Sequence, residues 1–108
     1  MTFRVSLSSR AELQLYTNAL WWAENRSTAQ AVRWLDGFQR ELRVLSDDPN
    51  QHSLAPESEV LPFVARQLLY GLGRRKTHRA IFEVRGDDII VHAIRHLAQE
   101  ALSAEDFS

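Results

Sequence analysis

Two helix-start patterns constrain this chain more than any other feature of its sequence. Ser9 stands three residues before Glu12, and Ser27 stands three residues before Gln30. This is the spacing of the capping box, in which a serine hydroxyl accepts a backbone N–H of the first helical turn. We therefore expect two successive helices within residues 9–46, and the connection between them is too short for anything but an antiparallel hairpin.

The second predicted helix has a regular apolar stripe. Its apolar residues recur at intervals of four, three, four and three, which places them on one face: Ala31, Leu35, Phe38, Leu42 and Leu45. Gly37 lies inside this helix, where glycine costs about 1 kcal/mol relative to alanine. We interpret it as the mark of a close crossing with another element.

Strand patterns precede and follow the hairpin. An alternating run at residues 2–7 predicts a short first strand, and apolar runs predict three more at 64–70, 77–85 and 88–95. The segment between helices and strands, residues 47–62, is rich in proline, serine and acidic residues and should be a surface loop. The order predicts an α+β fold: an N-terminal strand, a helical hairpin, then a three-stranded antiparallel run. The last residues of the chain should add only a short helix.

The last two strands should form a hairpin around Gly86 and Asp87. If these two residues are the turn, Arg85 faces Asp88 and the alternation of the two strands defines two faces of the sheet. The first face is apolar and should receive the helices: Ala80, Phe82, Val84, Ile89, Val91 and Ala93, with His78 and Arg95 at its far end. The second face is mixed: Arg79, Ile81, Glu83, Arg85, Asp88, Ile90, His92, Ile94 and His96.

Size and composition indicate one domain, residues 1–108, that needs no crosslinks. The chain has no cysteine, which excludes disulfides, thiolate metal sites and cysteine nucleophiles. It has no long apolar run, so we expect no membrane segment and a cytoplasmic protein. With 13 Lys and Arg against 14 Asp and Glu, the whole surface is not basic.

The positive charge is nevertheless concentrated in one short segment. Four of the 13 cations fall within residues 73–79, and residues 66–96 contain seven cations but three anions. A site of this kind can hold a phosphate backbone or an acidic protein surface. The cations of the segment are Arg74, Arg75, Lys76 and Arg79.

The C-terminal half resembles a known superfamily. The run QLLYGLGRRKTHRAIFEV, followed by GDDIIVHAIRHLAQ, is similar to the corresponding half of the RelE/ParE toxins. The matching features are a glycine-basic turn, an HR dipeptide opening an apolar strand, an acidic turn, and a strand that closes on IRH. The resemblance implies the toxin half of a bacterial type II toxin–antitoxin module of the plasmid-stabilisation kind, which inhibits growth and is covered by a small cognate antitoxin.

The superfamily contains two activities, and the resemblance allows both. RelE-like toxins cleave messenger RNA on the translating ribosome without a metal, whereas ParE-like toxins inhibit DNA gyrase without hydrolysis. On the RelE alternative, Arg79 would contact the scissile phosphate and His96 would act as acid or base. RelE-like enzymes often carry a tyrosine or histidine just beyond this point, but Leu97 and Ala98 stand here, so a ParE-like inhibitor is favoured. A second alternative is a degenerate toxin that is kept as an antitoxin-binding or operon-regulating module.

The resemblance also assigns surfaces. The mixed sheet face should meet the antitoxin, because an apolar patch rimmed by charge usually marks an interface; its residues are Ile81, Ile90, His92 and Ile94. The cations expected to bind a target or a phosphate are Arg74, Arg75, Lys76, Arg79 and Arg95.

No cofactor and no metal are expected. A metal site could be drawn from His78, His92 and His96, but the predicted register puts His78 on the opposite face from the other two. The three tryptophans could stack on bases, but their helical spacing favours packing in the core. They are Trp21, Trp22 and Trp34.

Overall fold

The computed structural model describes residues 3–99 and 101–107, which form two helices and one four-stranded sheet. In chain order the elements are β1 (Arg4–Leu7), α1 (Ser9–Asn25), α2 (Thr28–Val44), β2 (Arg66–Tyr70), β3 (His78–Arg85) and β4 (Asp88–His96). The predicted α+β class and order of elements are confirmed. The first predicted strand began at residue 2, which lies outside the described residues.

The helix starts follow the predicted chemistry, with one shift. Ser27 caps α2 as expected, because its Oγ accepts the backbone N–H of Gln30 at 3.0 Å. At α1 the cap is Ser8 and not Ser9. The backbone of Ser8 is extended, and its Oγ accepts the N–H of Ala11 at 3.1 Å. The prediction of Ser9 as the cap was wrong because Ser9 is already helical.

The sheet is mainly antiparallel. Its strand order is β1-β4-β3-β2, with β1 parallel to β4 and the other two pairs antiparallel. The helices cover one face of this sheet, where the apolar sides of both helices and of the strands form the main core. Its largest fully buried side chains include Trp34, Phe38, Leu15, Phe82 and Ile89.

A β-bulge interrupts the β3–β4 ladder at His92. From the turn outward the predicted pairing holds as far as Phe82 opposite Val91, but Ile81 then pairs with Ala93. His92 is the extra residue, so the β4 residues beyond it, 93–96, change face relative to the prediction, whereas their partners on β3 keep the predicted faces. The bulge brings the larger Ile94 into the main core in place of Ala93.

The second face of the sheet is covered by the chain itself. The loop after α2 contains short 3₁₀ turns at Pro49–Gln51 and Pro56–Glu59, and the C-terminal segment adds another at Ala104–Phe107. These segments and the sheet enclose a second, smaller core: Ala55, Ala65, Ile81, Ala93 and Leu102, with Leu61 and Phe63 partly buried against it. The loop lies over the surface as predicted, and it also covers the second face of the sheet.

Candidate functional site

The basic turn, residues 71–76, joins β2 to β3 at one end of the sheet. A Cβ added at Gly71 would lie 1.9 Å from the carbonyl oxygen of Arg75, so only glycine permits the chain to fold back this tightly. The tight return leaves three cationic side chains exposed, as the sequence predicted: Arg74, Arg75 and Lys76.

Arg79 does not share this exposure. Its side chain is buried, and its guanidinium donates to both carboxylate oxygens of Glu57, with Nη1–Oε1 at 2.8 Å and Nη2–Oε2 at 2.5 Å. A further hydrogen bond runs from Nη1 to Oε1 of Gln67 at 3.3 Å. This arrangement gives Arg79 a structural partner and does not favour the predicted contact with a phosphate.

Glu57 is fully buried and holds two parts of the chain together. Besides binding Arg79, its Oε2 accepts the backbone N–H of Leu102 at 2.9 Å. Burial acts to raise the pKa of Glu57, but the hydrogen bonds from Arg79 and Leu102 outweigh burial and hold that pKa below its usual value. One carboxylate therefore fastens the loop after α2 and the C-terminal segment to the sheet.

The bulge separates the two residues that a ribonuclease would need together. Arg79 pairs with Arg95, and His78 pairs with His96. Because successive residues of a strand alternate between faces, Arg79 and Arg95 lie on the second face, whereas His78 and His96 lie on the helix face. The prediction that Arg79 and His96 share a face is wrong, as is the placement of Arg95 on the helix face.

The residues expected to face an antitoxin are largely used within the protein. Ile81 and Ile94 are fully buried, the first in the smaller core and the second under the helices. His92 is half-buried, with its Nε2 2.8 Å from Glu83 Oε1 and its ring stacked on Phe63 at 4.9 Å. The expected exposed apolar patch is therefore wrong for Ile81 and Ile94.

Of the three isoleucines in this set, Ile90 is the one that is not fully buried. It is half-buried on the second face, opposite Glu83. A lone isoleucine is too small to make an interface. The second face therefore lacks the apolar patch that the sequence predicted.

His78 is fixed in one protonation state by its surroundings. Asn18 Nδ2 donates to the carbonyl of Gln14 at 2.8 Å, so Asn18 Oδ1 is the atom that accepts from His78 Nε2 at 3.1 Å. The remaining ring nitrogen, Nδ1, accepts the hydroxyl of Thr77 at 2.8 Å. Burial, and to a smaller extent the neighbouring His96, lowers the pKa of His78 to about 4, so the ring is neutral at pH 7.

His96 lies beside His78 at the mouth of a cavity of about 400 Å³. The two ring centroids are 5.0 Å apart, and the Nδ1 atom of His96 accepts the N–H of Ala98 at 3.0 Å. The third histidine, His92, is on the other face of the sheet. The expected grouping was therefore wrong, because it is His92 that stands apart. The described residues contain no cluster of three or more potential metal ligands.

The three tryptophans have different environments. Trp34 is fully buried, as predicted for core packing. Trp21 is 50% exposed, and it meets the half-buried Trp22 edge to face with ring centroids 5.6 Å apart. Both line the same cavity as His78 and His96. Packing alone therefore does not account for Trp21.

A groove of mixed polarity runs along the β1 edge of the sheet. The opposite edge, β2, is partly covered, because Gln67 donates its N–H to Ser53. β1 pairs on one side only, with β4. The groove beside it has a volume of about 370 Å³. Its lining combines apolar and aromatic residues with polar ones: Val5, Leu7, Leu15, Tyr16 and Leu42, and Ser6, Glu12, Gln39 and Arg43.

Sequence reasoning missed Glu57 and Asn18. A single carboxylate in a proline- and serine-rich loop is normally solvated, and nothing around Glu57 reveals its partner on β3. The apolar residues near it could have indicated that the loop has a buried side. Asn18 lies on α1 one turn before Trp22, and its polar position beside an apolar stripe was a usable signal.

Comparisons with known proteins support the fold. No protein-family model matches the chain, and no curated protein is similar to it in sequence. A chain of the solved structure of the chromosomal ParDE toxin–antitoxin system from P. aeruginosa matches with a TM-score of 0.70 and 18% sequence identity, over 88% of this chain and 96% of that one. The chain therefore has the same fold as that chain of the ParDE system.

Proposed function

We propose that this protein is the toxin of a type II toxin–antitoxin module, and that it acts in the cytoplasm as a ParE-like, non-hydrolytic inhibitor of DNA gyrase. The fold it shares with a chain of a ParDE system supports the toxin class. The observation that carries the choice of branch is the position of Arg79 and His96 on opposite faces of the sheet.

Metal-free RNA cleavage needs its groups at one phosphate. A base must reach the 2′-OH, an acid must reach the leaving oxygen, and a cation must stabilise the charge that develops between them. His96 faces the helix side, while Arg79 faces the other side and is held by Glu57. The two cannot act on one scissile phosphate without rebuilding the sheet, which favours the inhibitor over the ribonuclease.

The basic turn is the surface proposed to contact the target. Its three exposed cations project from a rigid return between two strands and can meet an acidic protein surface or a DNA backbone: Arg74, Arg75 and Lys76. Cations of this kind raise the association rate and orient the partner.

The antitoxin is proposed to bind along β1. In the parallel ladder the N–H groups of Arg4 and Ser8 point to β4, so the alternate residues Val5 and Leu7 direct theirs to the open edge. An extended antitoxin segment can add a strand there and place apolar side chains in the adjoining groove. Tyr16, 48% exposed, forms part of the wall of that groove.

Controlled expression tests the proposal. Induction of the chain alone should arrest growth and trigger a DNA-damage response, and co-expression of the small protein encoded beside it should restore growth and give a co-purifying complex. A variant lacking the basic turn's cations (Arg74→Ala, Arg75→Ala, Lys76→Ala) should arrest growth less, compared with a control that loses three exposed cations elsewhere (Arg26→Ala, Arg33→Ala, Arg40→Ala). A chain that neither slows growth nor binds its neighbour would contradict the toxin assignment.

A further inference from the structure

Two cavities adjoin at the end of the sheet, and together they make up a cleft. The first, of about 400 Å³, is lined by Asn18, Trp21, Trp22, Thr77, His78 and His96. The second, of about 550 Å³, is lined by Arg75, Lys76, Thr77, His96, Leu97 and Ala98. Thr77 and His96 belong to both linings, so the first cavity, the aromatic chamber, adjoins the basic turn. Each cavity has the size of an ordinary small-molecule site.

The aromatic chamber is built on rigid elements. Trp21 and Trp22 come from the last turns of α1, and their edge-to-face contact fixes the angle between the two rings. Trp22 is packed against the main core, whereas Trp21 leaves half of its surface open. An indole held in this way offers a flat apolar face at little entropic cost.

The polar wall of the chamber is already ordered. His78 is neutral and bonded through both ring nitrogens, to Asn18 and Thr77. His96 uses Nδ1 to accept the N–H of Ala98, which leaves Nε2–H as the donor available to a ligand. Within the described residues no acidic side chain lines either cavity. The cleft therefore suits an aromatic ligand with negative charge at one end.

We infer that this cleft binds one unpaired nucleotide, with its base against Trp21 and its phosphate at Arg75 and Lys76. Base–indole stacking tolerates any base, and ammonium and guanidinium groups are the usual partners of phosphate. His96, at the junction of the two cavities, is placed to donate to the sugar or the phosphate. This inference goes beyond the proposed function and does not depend on it, because it concerns a ligand and not toxicity.

The test uses the purified chain of residues 1–108 and two probes, adenosine monophosphate and a short oligothymidylate. Calorimetry measures the affinity, and the indole N–H signals in NMR report which tryptophans are affected. Binding should shift the signals of Trp21 and Trp22 and leave that of the buried Trp34 in place. Trp21→Ala should weaken binding about tenfold. The control Leu13→Ala removes an apolar residue of α1 that is 69% exposed and lies outside the cleft, and it should change nothing.

The two probes distinguish the source of the nucleotide. Comparable affinity for both supports a site for a free nucleotide. Binding of the oligomer alone, with a slope of log affinity against log salt of about −1.4 for two phosphate contacts, supports single-stranded nucleic acid. Absence of binding to either probe overturns the inference. The inference is also overturned if Trp21→Ala leaves oligomer binding unchanged and only the loss of Arg75 and Lys76 abolishes it. The basic turn would then bind the oligomer without the cleft.

Discussion

The carboxylate of Glu57 and the guanidinium of Arg79 form a two-pronged ion pair in which the Glu57 side chain is fully buried and the Arg79 side chain is 6% exposed. The pair joins a loop residue to the strand residue that the family resemblance assigned to catalysis. Arg79 was expected to bind a phosphate. In the structure it binds Glu57, and Glu57 in turn holds the loop after α2 and the C-terminal segment against the sheet.

Removing one member of this pair should destabilise the protein strongly. Glu57→Gln leaves a buried guanidinium without its counter-charge, which costs about 3–5 kcal/mol of the free energy of unfolding. Urea denaturation measures the loss. The matched control is Arg4→Ala, which breaks an exposed pair with Asp88 and should cost about 1 kcal/mol or less. Equal losses in the two variants would show that burial does not strengthen the Glu57–Arg79 pair.

A larger residue at Gly37 should destabilise the protein, because it would contact Tyr70 on β2. A Cβ at this position would come within 2.1 Å of the hydroxyl of Tyr70, which donates a hydrogen bond to the carbonyl of Trp34 at 3.0 Å. Gly37→Ala should therefore destabilise by about 1–3 kcal/mol, although alanine is the better helix former. Tyr70→Phe in the same chain should recover part of the loss. A stabilised Gly37→Ala variant would contradict the close crossing.

Protonation of His78 should make stability depend on pH. Its pKa is about 4 in the folded protein and 6.5 ordinarily, so the unfolded chain binds the proton more tightly. The contribution of neutral His78 to the free energy of unfolding is therefore fully present above pH 6.5. It is lost as pH falls through 4, and the total loss is about 3 kcal/mol. Thermal or urea unfolding between these limits measures it. His78→Gln should remove the decrease in stability between pH 6.5 and 4 and keep the further decrease at lower pH that follows protonation of Glu57. A pH profile of stability that is the same in this variant as in wild type would contradict a neutral, buried His78.

The antitoxin surface can be tested apart from toxicity. Tyr16→Asp places a charge in the wall of the β1 groove and should abolish rescue by the antitoxin while growth arrest persists. Val32→Asp is the matched control, because Val32 is 52% exposed on α2 and outside the lining of that groove. Growth assays and co-purification report the result. Equal rescue of both variants would place the antitoxin elsewhere.

Local signals in the sequence predicted most of the fold. Hydroxyl caps and apolar spacing determine the hairpin of helices, and the Gly86-Asp87 turn determines the register next to it. The register beyond His92 could not be predicted in this way. There the choice is between Ala93 and Ile94 as the residue that enters the main core, and the bulge is stabilised by contacts that form only after α1 has docked, including the bond from Ile94 N–H to Gln14 Oε1 at 2.7 Å.

The candidate site was predicted only in part, for a similar reason. The exposed cations follow from the composition of the turn, but the burial of Arg79 depends on Glu57, which lies 22 residues away in the sequence. A carboxylate in a loop gives no local sign of a distant partner. The ion pair removed Arg79 from its expected role, the bulge removed Ile94, and the cover formed by the loop and the C-terminal segment buried Ile81.

The most direct test of the proposed function is supercoiling by purified DNA gyrase, measured in parallel with the integrity of messenger RNA on translating ribosomes. The wild-type chain should block supercoiling and leave the messenger intact, and His96→Ala should behave like wild type because His96 cannot act together with Arg79. The variant without Arg74, Arg75 and Lys76 should block supercoiling less than the control without Arg26, Arg33 and Arg40. Normal supercoiling together with codon-positioned cleavage that disappears in His96→Ala would contradict the proposal and establish a ribonuclease.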